Sequence, residues 1–273
     1  MKSPTLAASL LVAMLANPPA AACGDASALS GTLSIPSCDK TTDSSCVPAP
    51  GLVYAYLEVL DIPGVYTIGL QTSPWRMYDA QDRIIPVAEL AALVEEQRTD
   101  HTRVHLIGSW TARLPGGEGE TLARQLSAAL GGFPVDGTDG FLWLTAEGGM
   151  RTTHQAYSVW KTGPYHLREG DDVMVAFVPG SLAQFENDFA ADGLAEGVVR
   201  AGVGHDAFRL CPEAALAAFE RAAAMGSAIG AWNAALMHEQ DGDLQATRAW
   251  LDKAVQLGDE KARARRAAMA PDP

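Results

Sequence analysis

Apolar residues in the middle of the chain follow the two periods that separate strands from helices. Runs rich in β-branched and aromatic residues, bounded by turn residues, predict strands at 52–60, 65–70, 75–78, 83–85, 104–107 and 141–144. Apolar residues at helical spacing predict a helix that opens at Pro86 and helices at 121–130 and 182–198. Strands that alternate with helices favour crossover connections, so residues 51–210 are predicted to form an α/β domain with a partly parallel mixed sheet and flanking helices.

The end of the chain, residues 211–273, is rich in alanine and repeats itself with an offset of 32 residues. In this repeat Phe219 aligns with Leu251, and Gly226 aligns with Gly258. A period of this size predicts a short all-α tail of helical hairpins, and each glycine stands where a helix should end. Four helices are therefore predicted at 212–225, 228–239, 243–257 and 260–269, with the seams filled by Trp232, Leu236, Leu244 and Leu251.

The repeated segments resemble the Sel1-like branch of the tetratricopeptide-type helical repeats. The stretches that carry the resemblance are FERAAAMG at 219–226, AWN at 231–233 and WLDKAVQLG at 250–258. The resemblance implies a surface that binds a protein or peptide partner, with the candidate residues Trp232, Glu239, Arg248, Trp250 and Lys253. A helical bundle that closes the fold without any partner is the alternative. Two units are fewer than an isolated array needs, so the repeats are expected to pack on the preceding domain.

The N-terminus has the pattern of an export signal. Lys2 precedes an uncharged apolar run at 6–16, and small residues lead up to Ala22. We therefore expect a signal peptide at 1–22 and an exported protein, periplasmic or extracellular, that begins at Cys23. The residues before Cys23 also resemble a bacterial lipobox, which implies a lipoprotein tethered to the membrane through this cysteine. No other segment reaches about 18 apolar residues, so no transmembrane segment is predicted.

Four cysteines in an exported chain predict disulfide bonds. Cys38 and Cys46 flank a short polar loop and are predicted to pair, which makes residues 23–50 a disulfide-stapled linker. Cys23 then pairs with Cys211 unless it carries a lipid. If Cys23 is lipidated, Cys211 is left as a lone thiol.

The overall charge narrows the range of partners. The formal net charge is −13 at pH 7, which argues against nucleic acid and anionic membrane surfaces as partners. Hydrophobic residues make up 48% of the chain, enough to build a core outside the polar linker.

Ser109 is placed like a nucleophile, because it lies two residues beyond the end of the predicted strand at 104–107 and ligands bind beyond such strand ends. It does not stand in the G-x-S-x-G turn of many hydrolases. The run 104–148 resembles a degenerate bacterial caspase-like peptidase domain, through VHLIGS at 104–109, LARQL at 122–126 and PVDG at 134–137. Such peptidases carry a cysteine at the strand tip and a preceding His-Gly pair. Their absence here implies a catalytically inactive relative.

Other chemistry finds little support in the sequence. None of the six histidines stands in a metal-binding motif, and 204–206, which contains His205, is predicted as a loop. The glycine-rich run 116–119 contains an acid and lacks the lysine of a phosphate-binding loop, so no metal and no cofactor are predicted. The sequence therefore favours an exported bacterial-type protein-interaction protein that binds without turnover. The alternative is a secreted or periplasmic peptidase-like hydrolase that uses Ser109 or Cys211.

Overall fold

The computed structural model describes residues 62–115, 117–144, 150–153, 155–158, 173–176 and 179–269. The predicted signal peptide, the predicted strand at 52–60 and the linker with Cys23, Cys38 and Cys46 lie outside these residues.

Short sheets form the first part of the described chain. Its strands are β1 Val65–Gly69, β2 Gln71–Thr72, β3 Met77–Tyr78, β4 Ile84–Ile85, β5 Arg103–Ile107, β6 Val135–Asp136, β7 Phe141–Leu144, β8 Met150–Thr153, β9 Gln155–Ser158 and β10 Val173–Ala176. β1, β5 and β6 pair in parallel in that order, and β9 pairs in parallel with β10. β2, β3 and β4 form an antiparallel meander, and β7 pairs with β8 in antiparallel fashion.

Most of the described helices follow the strands. They are α1 Val87–Gln97, α2 Leu122–Ala129, α3 Pro179–Ala191, α4 Ala195–Ala207, α5 Pro212–Ala224, α6 Ala228–Gln240, α7 Leu244–Gln256 and α8 Glu260–Ala268. α1 and α2 pack on the parallel sheet, where Leu90, Val94 and Leu126 bury themselves against Val104 and Leu106 of β5. From α3 to α8 each helix packs along the next one. The predicted order of an α/β part followed by a helical tail is confirmed.

Local chemistry sets the ends of the last helices. Ser227, Asp243 and Asp259 each accept a hydrogen bond from a backbone N–H of the following turn, as N-cap residues do. Gly226 and Gly258 have φ of 101° and 93°, which an L side chain adopts only with strain. The four predicted helices of the tail agree with α5–α8 to within one residue at each end.

Alanine and glycine bring the helices of the tail close together. A Cβ on Gly230 would meet the backbone oxygen of Phe219 at 2.8 Å, so α6 crosses α5 at a distance that only a glycine permits. The core between these helices contains Phe219, Trp232 and Leu251, all at most 2% exposed. We call α5–α8 the helical tail.

Three predictions in this region were wrong. The single helix predicted at 182–198 is divided into α3 and α4 by Gly193, whose φ of 72° ends the first helix. Residues 204–206 form the last turn of α4 and not a loop. Leu244 is 52% exposed, because the buried stripe of α7 begins one turn later at Thr247.

Candidate functional site

The helical tail holds the main chain of the hairpin between β3 and β4. Asn233 Oδ1 accepts a hydrogen bond from Ile84 N at 2.8 Å, and Asn233 Nδ2 donates to Asp82 O at 2.9 Å. Trp232 Nε1 donates to Ile84 O at 2.9 Å. Two neighbouring residues of α6 therefore bind the backbone where the hairpin turn leads into β4.

Arg83 of the same hairpin joins α6 to α8. Its guanidinium lies 4.0 Å from the centroid of the Trp232 ring, the geometry of a cation–π contact. It also forms a two-pronged ion pair with Asp259, in which Nη2 donates to Oδ1 at 2.9 Å and Nη1 to Oδ2. Burial by itself would raise the pKa of Asp259, but hydrogen bonds from Arg83 and from the Ala262 N–H outweigh it and lower this pKa.

A second buried contact lies deeper, between β3 and α4. Asp206 is fully buried, with Oδ1 2.5 Å from Arg76 Nη1 and Oδ2 2.6 Å from the Tyr78 hydroxyl, which donates to it. Burial, followed by the negative charge of Asp206, raises the pKa of Tyr78 well above its usual value, so this hydroxyl keeps its proton.

A cleft of about 270 Å³ opens where the meander meets α2, α6 and α8. Its walls are formed by Trp75, Arg76, Met77, Ile84, Ile85, Pro86, Val87, Leu122, Gln125, Leu236, Glu239, Gln240 and Arg265. The buried residues of this lining are apolar apart from Arg76, whereas the more exposed rim includes the polar residues Gln125, Glu239, Gln240 and Arg265. This cleft is the candidate functional site, since ligand sites combine apolar walls with a few placed polar groups.

Most polar groups of the cleft have hydrogen-bond partners within the chain, but one nitrogen of Arg76 has none. At the rim, Arg265 Nε and Nη2 both donate to Glu239 Oε2, at 3.0 and 2.6 Å. Gln125 Nε2 donates to the Glu120 backbone oxygen at 2.7 Å. Arg76 is only 7% exposed and uses Nη1 for Asp206, yet its Nε has no acceptor. That Nε is itself almost fully buried, so it is not a donor that the surface of the cleft presents.

The predicted binding residues lie in different places. Trp232 is 2% exposed and takes part in the hairpin contact, so it contacts its own chain and not a partner. Glu239 lines the cleft. Arg248, Trp250 and Lys253 are half-buried on α7 and are not among the residues that line the cleft.

Ser109 serves a structural purpose at the tip of β5. Its Oγ accepts a hydrogen bond from Leu142 N at 3.1 Å, and its backbone oxygen accepts one from Thr72 Oγ1 at 2.7 Å. Thr111 and Thr138 donate in the same way to the backbone oxygens of Leu106 and Gly108. The tip is thus held by buried threonine hydroxyls.

Two histidines of the helices have charged side chains as partners, and not Ser109. His205 Nε2 lies 3.2 Å from Glu186 Oε2, and its Nδ1 lies 3.1 Å from Arg209 Nη1. Burial would raise the pKa of Glu186, but hydrogen bonds from His205 and Arg221 outweigh it and lower this pKa. His238 Nε2 lies 3.1 Å from Glu220 Oε1. Within the part of the chain that the structure describes, no hydrogen bond joins Ser109 to a histidine.

Cys211 is disulfide-bonded. The other three cysteines are Cys23, Cys38 and Cys46, so its partner lies outside the described residues. The predicted alternative of a lone thiol at Cys211 is therefore wrong. A disulfide sulfur has no thiolate to offer as a nucleophile.

Sequence reasoning missed Arg76 and Asn233. Asn233 stands beside Trp232 in the quoted AWN stretch, which is the one local signal that pointed toward it. Arg76 has no such signal, because its partner Asp206 is 130 residues away along the chain.

No described helix is long and apolar enough to cross a membrane. Among the described residues, no three metal-binding side chains come together.

A protein-family model described as "Domain of unknown function (DUF8616)" matches residues 43–152. Comparison with curated proteins and with solved structures finds no match. The chain is thus similar to that family over most of the α/β part and one wall of the cleft, and the match ends before the helical tail.

Proposed function

We propose that this protein is an exported, non-catalytic binding protein that takes up a segment of a protein or peptide partner in the cleft between the meander and the helical tail. The helices α5–α8 act in this proposal as Sel1-like repeats that supply one wall. The observation that carries it is the cleft itself, whose buried lining is apolar apart from Arg76 and whose more exposed lining includes Gln125, Glu239, Gln240 and Arg265.

The adjoining hairpin contact supports a peptide as the ligand. Asn233 and Trp232 bind Asp82 and Ile84 through main-chain atoms, so this face of α6 already binds a chain segment through its backbone. Leu236 and Gln240 continue α6 from that contact into the cleft, four and eight residues beyond Trp232. A partner segment in the cleft would therefore lie next to the β3–β4 hairpin, whose backbone α6 already binds.

The surroundings of Ser109 argue against the hydrolase. A serine nucleophile needs a base within hydrogen-bond reach and donors for the developing charge. The Ser109 hydroxyl instead accepts a backbone N–H, and the described histidines with charged partners are committed to those partners.

Site-specific photo-crosslinking tests this function. A benzophenone amino acid in place of Gln240, an exposed residue of the cleft rim, should form an adduct with one defined partner, which then binds the wild-type protein when purified. Gln245 is the matched control, because it is an exposed glutamine of α7 that does not line the cleft. Equal adducts from both positions, or no saturable binding of the captured partner, would contradict the proposal.

A further inference from the structure

We propose that the partner segment in the cleft is an uncharged stretch of peptide that buries one large aliphatic side chain, such as leucine, and accepts a backbone hydrogen bond from the Trp75 indole. This inference rests on the proposed function and specifies its ligand.

The charged side chains of the cleft already have partners within the chain. Arg76 is ion-paired with the buried Asp206. At the rim, Arg265 is ion-paired with Glu239 at 2.6 Å. A charged ligand group would therefore lose water on entry without meeting an unpaired counter-charge, and burial of a charge without a partner is costly. The cleft thus selects an uncharged segment.

The buried part of the lining suits one aliphatic side chain. Apart from Arg76 it consists of Met77, Ile84, Leu122 and Leu236, each at most 8% exposed. The volume of about 270 Å³ is below the usual range of ligand sites, so the cleft holds one large side chain better than several. An aliphatic side chain gains free energy when it leaves water, whereas a sugar would place hydroxyl groups against these carbon atoms.

Trp75 is the donor that the cleft offers to a peptide backbone. Its indole is half-buried, and its N–H keeps some accessible surface and has no acceptor among the described residues. The turn that carries it is held from inside, because the buried Ser73 Oγ accepts hydrogen bonds from Trp75 N at 3.2 Å and from Arg76 N at 3.0 Å. A tryptophan on a fixed turn loses little conformational entropy on binding, and its N–H donates well to a backbone carbonyl oxygen.

Titration of the full mature protein, labelled with nitrogen-15, with capped pentapeptides tests the inference. The first probe is acetyl-Gly-Ala-Leu-Ala-Gly-amide, and the others carry alanine, glutamate or lysine at the central position. The leucine peptide should shift the Trp75 indole N–H signal saturably, with that signal assigned through its loss in Trp75→Phe. The other three should bind at least about tenfold more weakly, because alanine buries less apolar surface and the charged residues find no partner. No saturable shift with the leucine peptide, or equal affinity of any other peptide, would overturn the inference.

Two variants show where the leucine peptide binds. Trp75→Phe keeps an aromatic ring but loses the N–H, so it should weaken the peptide about fivefold. Trp250→Phe is the matched control, because Trp250 is a half-buried tryptophan of α7 that does not line the cleft. Gln240→Trp should weaken the peptide by covering the cleft, with Gln245→Trp as its control. Full-strength binding to either cleft variant, or an equal loss in its control, would overturn the inference.

The ion pair at the rim allows a test by gain of affinity. Glu239→Gln leaves Arg265 without its counter-charge, so the glutamate peptide should bind at least about fivefold more tightly than it binds wild type, and the lysine peptide should not. Asp252→Asn is the control, because it removes the partner of Arg266, which lies on the same helix but does not line the cleft. No gain for the glutamate peptide in Glu239→Gln would overturn the selection against charge.

The two proposals fail in distinguishable ways. If all four peptides bind equally and Gln240→Trp weakens each of them, the preference for an uncharged aliphatic side chain is wrong while binding in the cleft stands. If photo-crosslinking at Gln240 captures no partner that binds saturably, the proposed function falls, whatever the pentapeptides do.

Discussion

Asn233 on α6 accepts a hydrogen bond from the backbone N–H of Ile84 at 2.8 Å, across 149 residues of sequence. Its amide nitrogen returns a hydrogen bond to the Asp82 carbonyl oxygen. Asn233 is fully buried, so the helical tail and the meander are joined by a polar contact that only one relative placement satisfies. That placement also forms the cleft.

Removal of this amide should loosen the junction. Asn233→Ala leaves the Ile84 N–H and the Asp82 carbonyl without their partner, which costs about 1–3 kcal/mol per buried group left unsatisfied. Urea unfolding of the variant should show a lower midpoint than wild type, with Gln245→Ala as the surface control. A midpoint equal to that of the control would mean that the contact contributes nothing to stability.

The helical tail should depend on the α/β part. Trp232→Ala creates a cavity at a 2% exposed position and removes a hydrogen bond to Ile84, so a loss of roughly 3–5 kcal/mol is expected. Residues 212–273 expressed alone should show no cooperative thermal transition by circular dichroism, because Trp232, Asn233 and Asp259 lose their partners. A cooperative transition in the isolated tail would refute this dependence.

Acid should release the Arg83–Asp259 contact. The folded state lowers the pKa of Asp259, so its contribution is fully present above the usual aspartate value of about 3.9 and is lost as the pH falls through the lowered pKa. Asp259→Asn keeps an N-cap acceptor for α8 but loses the charge, at a cost of about 1–3 kcal/mol near neutral pH. The stability difference between the two proteins should be constant from about pH 5 to 8 and shrink below about pH 4. A difference that persists unchanged into acid would contradict this account.

Cys211 should resist alkylation until a reductant is added. Peptide mapping of the unreduced protein should join its peptide to one that contains Cys23, Cys38 or Cys46. A bond to Cys23 would exclude a lipid on that cysteine and leave the predicted pair of Cys38 and Cys46 intact. Alkylation of Cys211 without reductant would show that the disulfide is absent.

The sequence predicted what short-range chemistry determines. Gly226 and Gly258 end helices through their own backbone freedom, so the tail could be divided correctly from the repeat alone. The predicted strands at 75–78 and 83–85 and the helix after Pro86 were equally local, and the structure has them as β3, β4 and α1.

The site depends on contacts between distant segments, which local patterns do not contain. The sequence predicted a loop at 204–206. The segment is instead helical and buried, because Arg76 and Tyr78 donate hydrogen bonds to Asp206 from about 130 residues away along the chain. Trp232 was predicted as buried and as a binding residue. It is buried, and the segment it binds is the β3–β4 hairpin of the same chain.

The serine at the tip of β5 should matter for packing and not for binding. Ser109→Ala removes the acceptor for Leu142 N, at a cost of about 1 kcal/mol, and leaves the cleft untouched. Urea unfolding should detect this modest loss of stability. A loss of stability without a change in affinity for the partner would identify Ser109 as a structural residue.

The central claim is binding in the cleft without turnover. The most direct test titrates the partner captured through Gln240 into the wild type, Gln240→Trp and Ser109→Ala, and then determines the mass of the recovered partner. The account predicts affinity for Ser109→Ala within about twofold of wild type, a loss of at least about tenfold for Gln240→Trp, and an intact partner throughout. A partner that is cleaved by the wild type and spared by Ser109→Ala, with affinity indifferent to Gln240→Trp, would contradict it.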